Sequence, residues 1–185
     1  CAVWRPGSNQ IALCRNQQPL LWRPGAGAPK PVGDKLPSEI RAAAWSPDGA
    51  RLAVWDKGAP KQEAGDAAGG VSSMAGQQQG ALRVWDMRTN AQLLDAATEQ
   101  PIFRADWSQD GHILVTTTNS NTATIWNFGS GLITTTIAVC PGIGGVRFLD
   151  NDSFFIWSTR STGQIWSVDG RLLQPAGPDS GCLLS

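Results

Sequence analysis

Residues 81–86, Ala81-Leu82-Arg83-Val84-Trp85-Asp86, decide the reading of this 185-residue chain. Leu82 and Val84 are apolar, Arg83 between them is charged, and Trp85-Asp86 closes the run. Alternation with a period of two puts apolar side chains on one face of an extended strand and polar ones on the other. The cadence returns as Ala123-Thr124-Ile125-Trp126-Asn127 and as Gly163-Gln164-Ile165-Trp166-Ser167, with an earlier, weaker copy at Pro19-Leu20-Leu21-Trp22. Trp85 and Trp126 are 41 residues apart, and Trp126 and Trp166 are 40. A strand recurring at that period predicts repetition of one supersecondary unit.

A second landmark has the same period. Trp45-Ser46-Pro47-Asp48-Gly49 and Trp107-Ser108-Gln109-Asp110-Gly111 are copies, with fainter ones at Trp4-Arg5-Pro6-Gly7 and Phe148-Leu149-Asp150-Asn151. The gaps between the four aromatic positions are 41, 62 and 41 residues, so the middle unit carries 21 extra. Asp-Gly and Asp-Asn tolerate the left-handed backbone of a tight turn between twisted strands, so Asp48, Gly49, Asp110 and Gly111 are expected in hairpin turns. Each unit divides into four strands, and no segment sustains apolar residues at helical spacing. The expected units are 1–39, 40–101, 102–144 and 145–175, with 176–185 a tail or the lead-in to a further unit. The first unit's fourth strand is expected near Pro31–Leu36, where Pro29, Pro31 and Pro37 suit only an outer edge. Residues 57–80, rich in Gly, Ala, Gln and Ser, hold too little apolar surface to offset ordering and are expected to form a mobile loop.

Composition narrows function. Fifteen basic and fifteen acidic side chains cancel, and no basic stripe offers a nucleic-acid footprint. A single His and four Cys without any Cys-x-x-Cys exclude a zinc site, and no other metal or cofactor is implied. Cys1, Cys14, Cys140 and Cys182 are expected to be free intracellular thiols. No apolar run approaches the roughly 18 residues of a membrane span, and residues 1–20 lack the apolar core of a secretory signal. A Cys at position 1 also fits a lipidated N-terminus, but the strand pattern starts at once, so the expectation is a piece of a longer protein.

Four-stranded units of about 40 residues with Trp-Asp closing the third strand resemble the blades of a β-propeller. With Val84-Trp85-Asp86, Ile125-Trp126-Asn127, Ile165-Trp166-Ser167 and the two Trp-Ser-x-Asp-Gly turns, the chain is similar to the WD-repeat family over roughly residues 1–175. The resemblance implies an all-β fold with four blades of a propeller that usually closes with seven. It implies a non-catalytic scaffold whose partners are other protein subunits, with the remaining blades supplied by the same or a partner chain. Family blades often join a His, a Ser or Thr, an Asp and the Trp in a buried network. His112 follows the first hairpin turn and does not match that His, so the network is in doubt here, and His112 is expected on the surface. The degenerate blades are similar to those of aladin-like nucleoporins, which would place the chain at the nuclear pore; an axonemal or ciliary subunit fits nearly as well. A TolB-like or peptidase-associated propeller, attached to an enzyme or periplasmic, also uses Trp-Ser-Pro-Asp-Gly turns and is the rival reading.

Individual residues divide between packing and recognition. Trp4, Trp22, Trp45, Trp85, Trp107, Trp126, Phe148 and Trp166 are expected to form the core between sheets. Trp55 and Trp157 lie on second strands and could face a channel or partner, with core the better reading. No catalytic set assembles around one misplaced His, and Ser46-Pro47-Asp48-Gly49 lacks the spacer of a sialidase-type Asp box. Cys182-Leu183-Leu184-Ser185 matches a prenylation box, although the period puts it where the lead-in to another unit belongs. Loops between second and third strands share a face with the connections between units. Lys30, Lys35, Lys57 and Lys61 are therefore expected to form a partner-binding surface there.

Overall fold

The computed structural model describes residues 1–60, 78–129, 131–159 and 163–175. These residues hold seventeen strands and no helix, in four antiparallel sheets that follow one another along the chain. Sheet 1 is β1 (Ala2–Trp4), β2 (Ile11–Arg15), β3 (Gln18–Trp22) and β4 (Lys30–Pro31). Sheet 2 is β5 (Ile40–Trp45), β6 (Arg51–Asp56), β8 (Gln78–Asp86) and β9 (Ala91–Thr98), with β7 (Ala59–Pro60) paired to the start of β8. Sheet 3 is β10 (Ile102–Trp107), β11 (Ile113–Thr118), β12 (Thr122–Asn127) and β13 (Ile133–Ala138). Sheet 4 is β14 (Ile143–Phe148), β15 (Ser153–Ser158), β16 (Gln164–Ser167) and β17 (Leu172–Gln174). Sheets 1, 3 and 4 are meanders in which sequence neighbours pair, whereas in sheet 2 β6 pairs with β8, beyond the short β7.

The period-2 alternation is answered on both faces of the inner sheets. Leu52, Val54 and Trp85 pack towards sheet 1 with Ala12, Val32, Leu36 and Trp45. Their neighbours Ala53, Trp55, Leu82 and Val84 pack towards sheet 3 with Ile102, Trp107, Leu114 and Trp126. A third cluster joins Val115, Ile125 and Ile137 to Val146, Phe154, Ile156 and Trp166 of sheet 4. Strand β6 is consequently buried from Leu52 to Asp56, with apolar residues at four successive positions, as a strand covered on two faces requires.

The stacking repeats a specific bond. Trp45 Nε1 donates to Val3 O at 3.2 Å, and Trp107 Nε1 donates to Ala44 O at 3.3 Å. In each case the Trp of a first strand reaches the carbonyl just before the matching aromatic of the preceding sheet. The hairpin turns are linked in the same order: Arg5 Nε donates to Gly49 O at 2.8 Å, and Arg51 Nη1 donates to Gly111 O at 2.5 Å. The Asp110 amide donates to Asn151 Oδ1 at 2.9 Å.

Several expectations are corrected. Cys1 and Cys14 are joined by a disulfide, and Cys140 is disulfide-bonded too, so no free thiol exists among the described residues. The hairpin register explains the first bond: Ala2 pairs with Leu13, which sets Cys1 beside Cys14 with Cα atoms 4.9 Å apart. Trp4 is 60% exposed, because no sheet covers its side of sheet 1 among the described residues. Trp22 is half-buried, its Nε1 donating to Gly27 O at 2.9 Å. Of the expected loop 57–80, residues 61–77 lie outside the described residues, while at its ends Ala59 and Pro60 pair with Gln79 and Gln78 and Gly80 lies in β8. The first sheet's fourth strand is only Lys30–Pro31, and Val32 and Leu36 beyond it are buried in the core. Gly33, at φ +56°, lets this segment lie against Trp85, whose ring would sit 2.6 Å from an added Cβ. Trp45, Trp55, Trp85, Trp107, Trp126, Phe148 and Trp166 are buried, whereas Trp157 is 39% exposed.

Candidate functional site

The two rims of the stack differ in chemistry. One carries the turns that link first to second strands. There the Ser46 hydroxyl donates to Asp48 Oδ1 at 2.6 Å, Asp48 accepts the Ala50 amide at 3.0 Å, and Ser46 Oγ accepts the Arg51 amide at 2.8 Å. Ser108 and Asp110 repeat the arrangement, with Gly49 at φ +68° and Gly111 at φ +71° completing each turn. Ser167 and Asp169 build the same device between β16 and β17.

These carboxylates serve the turns. Burial pushes Asp48 up, but the Ser46 hydroxyl, the Ala50 amide and the Arg88 and Arg51 guanidinium groups hold it below its ordinary value. Asp110 behaves alike, with burial outweighed by the Ser108 hydroxyl, the His112 amide and the His112 ring. The Asp152 amide and Ser153 hydroxyl hold Asp150 low, and the Ser167 hydroxyl does the same for Asp169. Asp106 moves the other way, raised by burial and only partly relieved by the Phe148 amide and Arg147. His112 Nδ1 lies 3.5 Å from Asp110 Oδ2 with its side chain half-exposed, a surface pair in a turn.

The opposite rim holds the loops between second and third strands together with the connections between sheets. Backbone bonds tie them: the Leu36 amide donates to Gln17 O at 2.9 Å, Ile40 to Asn16 O at 2.7 Å and Val139 to Asn121 O at 2.9 Å. Three clefts open here. The first, about 570 Å³, is lined by Arg15, Asn16, Gln17, Gln18, Lys35 and Glu39. The second, about 480 Å³, includes Asp56, Pro60, Gly80 and Asp95. The third, about 240 Å³, runs between the end of β9 and the hydroxyl-bearing face of sheet 3.

The expected recognition lysines divide among these places. Lys35 lines the first cleft, and Lys57 forms an ion pair at 2.8 Å with Glu39 on the same cleft. Lys30 sits on β4 opposite Leu21, away from that lining, and Lys61 lies outside the described residues, as does Cys182. Sequence reading missed Arg15 and Glu39, whose place depends on the turn at Asn16 meeting the connection into β5. It also missed the threonines of the third cleft, whose signal is recurrence at alternate positions, 116, 118, 122, 124, 134 and 136. One bond of the doubted network is present: Trp126 Nε1 donates to the Thr116 hydroxyl at 3.0 Å. Among the described residues, no group of three or more His, Cys, Asp or Glu could hold a metal ion.

The first cleft can pair with a partner of mixed charge, and the third offers hydroxyls to a neutral one. No protein-family model matches the chain, and no curated protein matches it.

Proposed function

We propose that the chain is part of a β-propeller of the WD-repeat type and works as a non-catalytic scaffold for other protein subunits. The repeated stacking bond supports this most directly. Trp45 to Val3 and Trp107 to Ala44 define a sheet-to-sheet step that a further sheet can continue. Trp4 holds the matching place in sheet 1 and is 60% exposed. On the far side of sheet 4, Phe155 stacks on the exposed Trp157 with ring centroids 6.3 Å apart. Remaining blades, from this protein or a partner chain, would cover both faces. In this reading the rim with Lys35 and Lys57 is the partner-binding surface, and the assembly is of the nuclear-pore kind, in keeping with the resemblance to aladin-like nucleoporins, with a ciliary complex as the alternative.

A second reading has an observation of its own. The Cys1–Cys14 disulfide fits an oxidising compartment better than a reducing one, and so favours a TolB-like or peptidase-associated propeller, periplasmic or attached to an enzyme. The bond also occupies the Cys1 sulfur that a lipid thioether would need.

Affinity purification of the tagged chain from its native cells tests the scaffold. The expected result is a stoichiometric complex that loses a subunit in K35E/K57E. Recovery of a monomer that melts cooperatively on its own would overturn it. Alkylation of Cys1 and Cys14 before lysis separates the compartments: protection places the chain in an oxidising one.

A further inference from the structure

We propose that the threonine-lined cleft between sheets 2 and 3 binds a small neutral polyhydroxyl ligand of monosaccharide or polyol size. The even-numbered residues of β11, β12 and β13 share the face that Leu114 and Trp126 turn towards sheet 2. Register places Thr116 opposite Thr124 and Thr124 opposite Thr136, a row of three hydroxyls across three strands. At the mouth, the Thr118 hydroxyl lies 2.7 Å from both Ser120 and Thr122 Oγ atoms, while Thr124 and Thr136 hydroxyls are 3.2 Å apart. Trp126, fixed by its bond to Thr116, and Ile102 supply an apolar floor to this cleft of about 240 Å³.

The lining selects a ligand class. Among the described residues Glu99 is its only ionisable group, so neither an anion nor a multivalent cation finds its counter-charge in that lining. Each hydroxyl can donate one hydrogen bond and accept two, and mutual bonds between hydroxyls leave acceptor capacity unused. A partner made of hydroxyls on a carbon ring or chain has the same dual character. Its O–H groups suit the accessible part of the row, Thr122, Thr124, Thr134 and Thr136, above the buried Trp126 and Thr116 that close the cleft beneath them. The site is independent of the scaffold reading, because it needs only the register of sheet 3 and its contact with sheet 2.

Saturation-transfer NMR on the full chain tests this with D-glucose, D-galactose and D-mannose as probes. Ligands of about twelve non-hydrogen atoms on such a shallow site reach millimolar affinity. We expect transfer to ring protons of at least one sugar, and binding about tenfold weaker in T124V/T136V. Valine keeps the branched shape and strand preference of threonine, so the variant should melt with the parent. If it melts earlier, T136V alone, on the exposed strand β13, carries the comparison, and T136S should restore binding. The proposal is overturned if no sugar shows transfer up to about 50 mM, well above the affinity expected for its size. It is equally overturned if the valine variants bind like the parent, or if sugar phosphates bind more tightly than the neutral sugars.

Discussion

Trp4 and Trp45 occupy the same place in two copies of one motif, yet one is 60% exposed and the other 7%. Trp45 lies between sheets 1 and 2, gives its N–H to Val3 O and takes the Arg5 guanidinium over its ring at 5.2 Å. Trp4 pairs with Ile11 at the edge of sheet 1 without a sheet beyond it among the described residues. The difference lies in the neighbour, not in the motif. A strand's own pattern says which side chains share a face, while the energy of that face depends on whether something stacks on it.

The sharpest way to break this comparison is to remove the rings. Trp107→Ala, in the cluster between sheets 2 and 3, should cost about 3–5 kcal/mol, because a large cavity opens among buried partners. Trp4→Ala should change the isolated chain's stability by about 0.5 kcal/mol or less, as exposed substitutions do. Urea unfolding followed by circular dichroism measures both. Equal losses would mean that Trp4 is already covered in solution, by a further sheet or a second molecule.

The same distinction explains what could be read in advance. The third strand of sheet 3 and its first hairpin turn were legible, because Ile125-Trp126 carries the alternation and Trp107-Ser108 opens the turn signal. The first sheet's last strand was not. Val32 and Leu36 look like strand residues, but pairing stops at Pro31: beyond it the Val32 and Leu36 amides make single bonds to Pro19 O and Gln17 O, and the segment fills space against Trp85. The disulfide was hidden because 13 residues separate Cys1 from Cys14, and only the hairpin register shows them to be opposite. Of the rim that carries Lys35 and Lys57, the meeting of second-to-third loops with inter-sheet connections followed from the repeat. The third cleft did not, since threonine at alternate positions reads as ordinary strand until a neighbouring sheet turns that face into a wall.

A second test keeps the ring and removes its partner. Thr116→Val preserves shape but leaves the Trp126 N–H without an acceptor at a buried site, so a loss of about 1–3 kcal/mol is expected in the same unfolding assay. Little or no loss would mean that water reaches the indole through the cleft.

The turns give a smaller effect that depends on pH. Asp110 is held below its ordinary value in the folded chain, so its contribution is present above the unfolded value and disappears as pH falls through the folded one. Asp110→Asn keeps the Oδ1 acceptor of both bonds but loses the charge that strengthens them, and should cost about 0.5 kcal/mol at neutral pH. Its stability should also fall less steeply than the parent's below the ordinary carboxylate range. A parallel acid limb in both proteins would assign acid unfolding to other groups.

Asp106 reverses that sign, and so sharpens the contrast between an exposed turn and an interface between sheets. It accepts the Phe148 amide at 2.8 Å from the neighbouring sheet, and burial raises its folded value. A carboxyl raised in this way favours the folded state below its unfolded value, and that advantage is lost as pH rises through the folded one. At neutral pH the ionised group therefore opposes folding, while its hydrogen bond supports it. Asp106→Asn retains an oxygen that can accept the Phe148 amide and removes the desolvated charge. The expected outcome is a gain of about 0.5 kcal/mol at pH 7, within the range of small stabilising changes, and no gain in acid. A loss at pH 7 would show that Arg147, which lies near enough to lower the Asp106 value, matters more than burial, and that the interface between sheets 3 and 4 is held by charge as well as by packing.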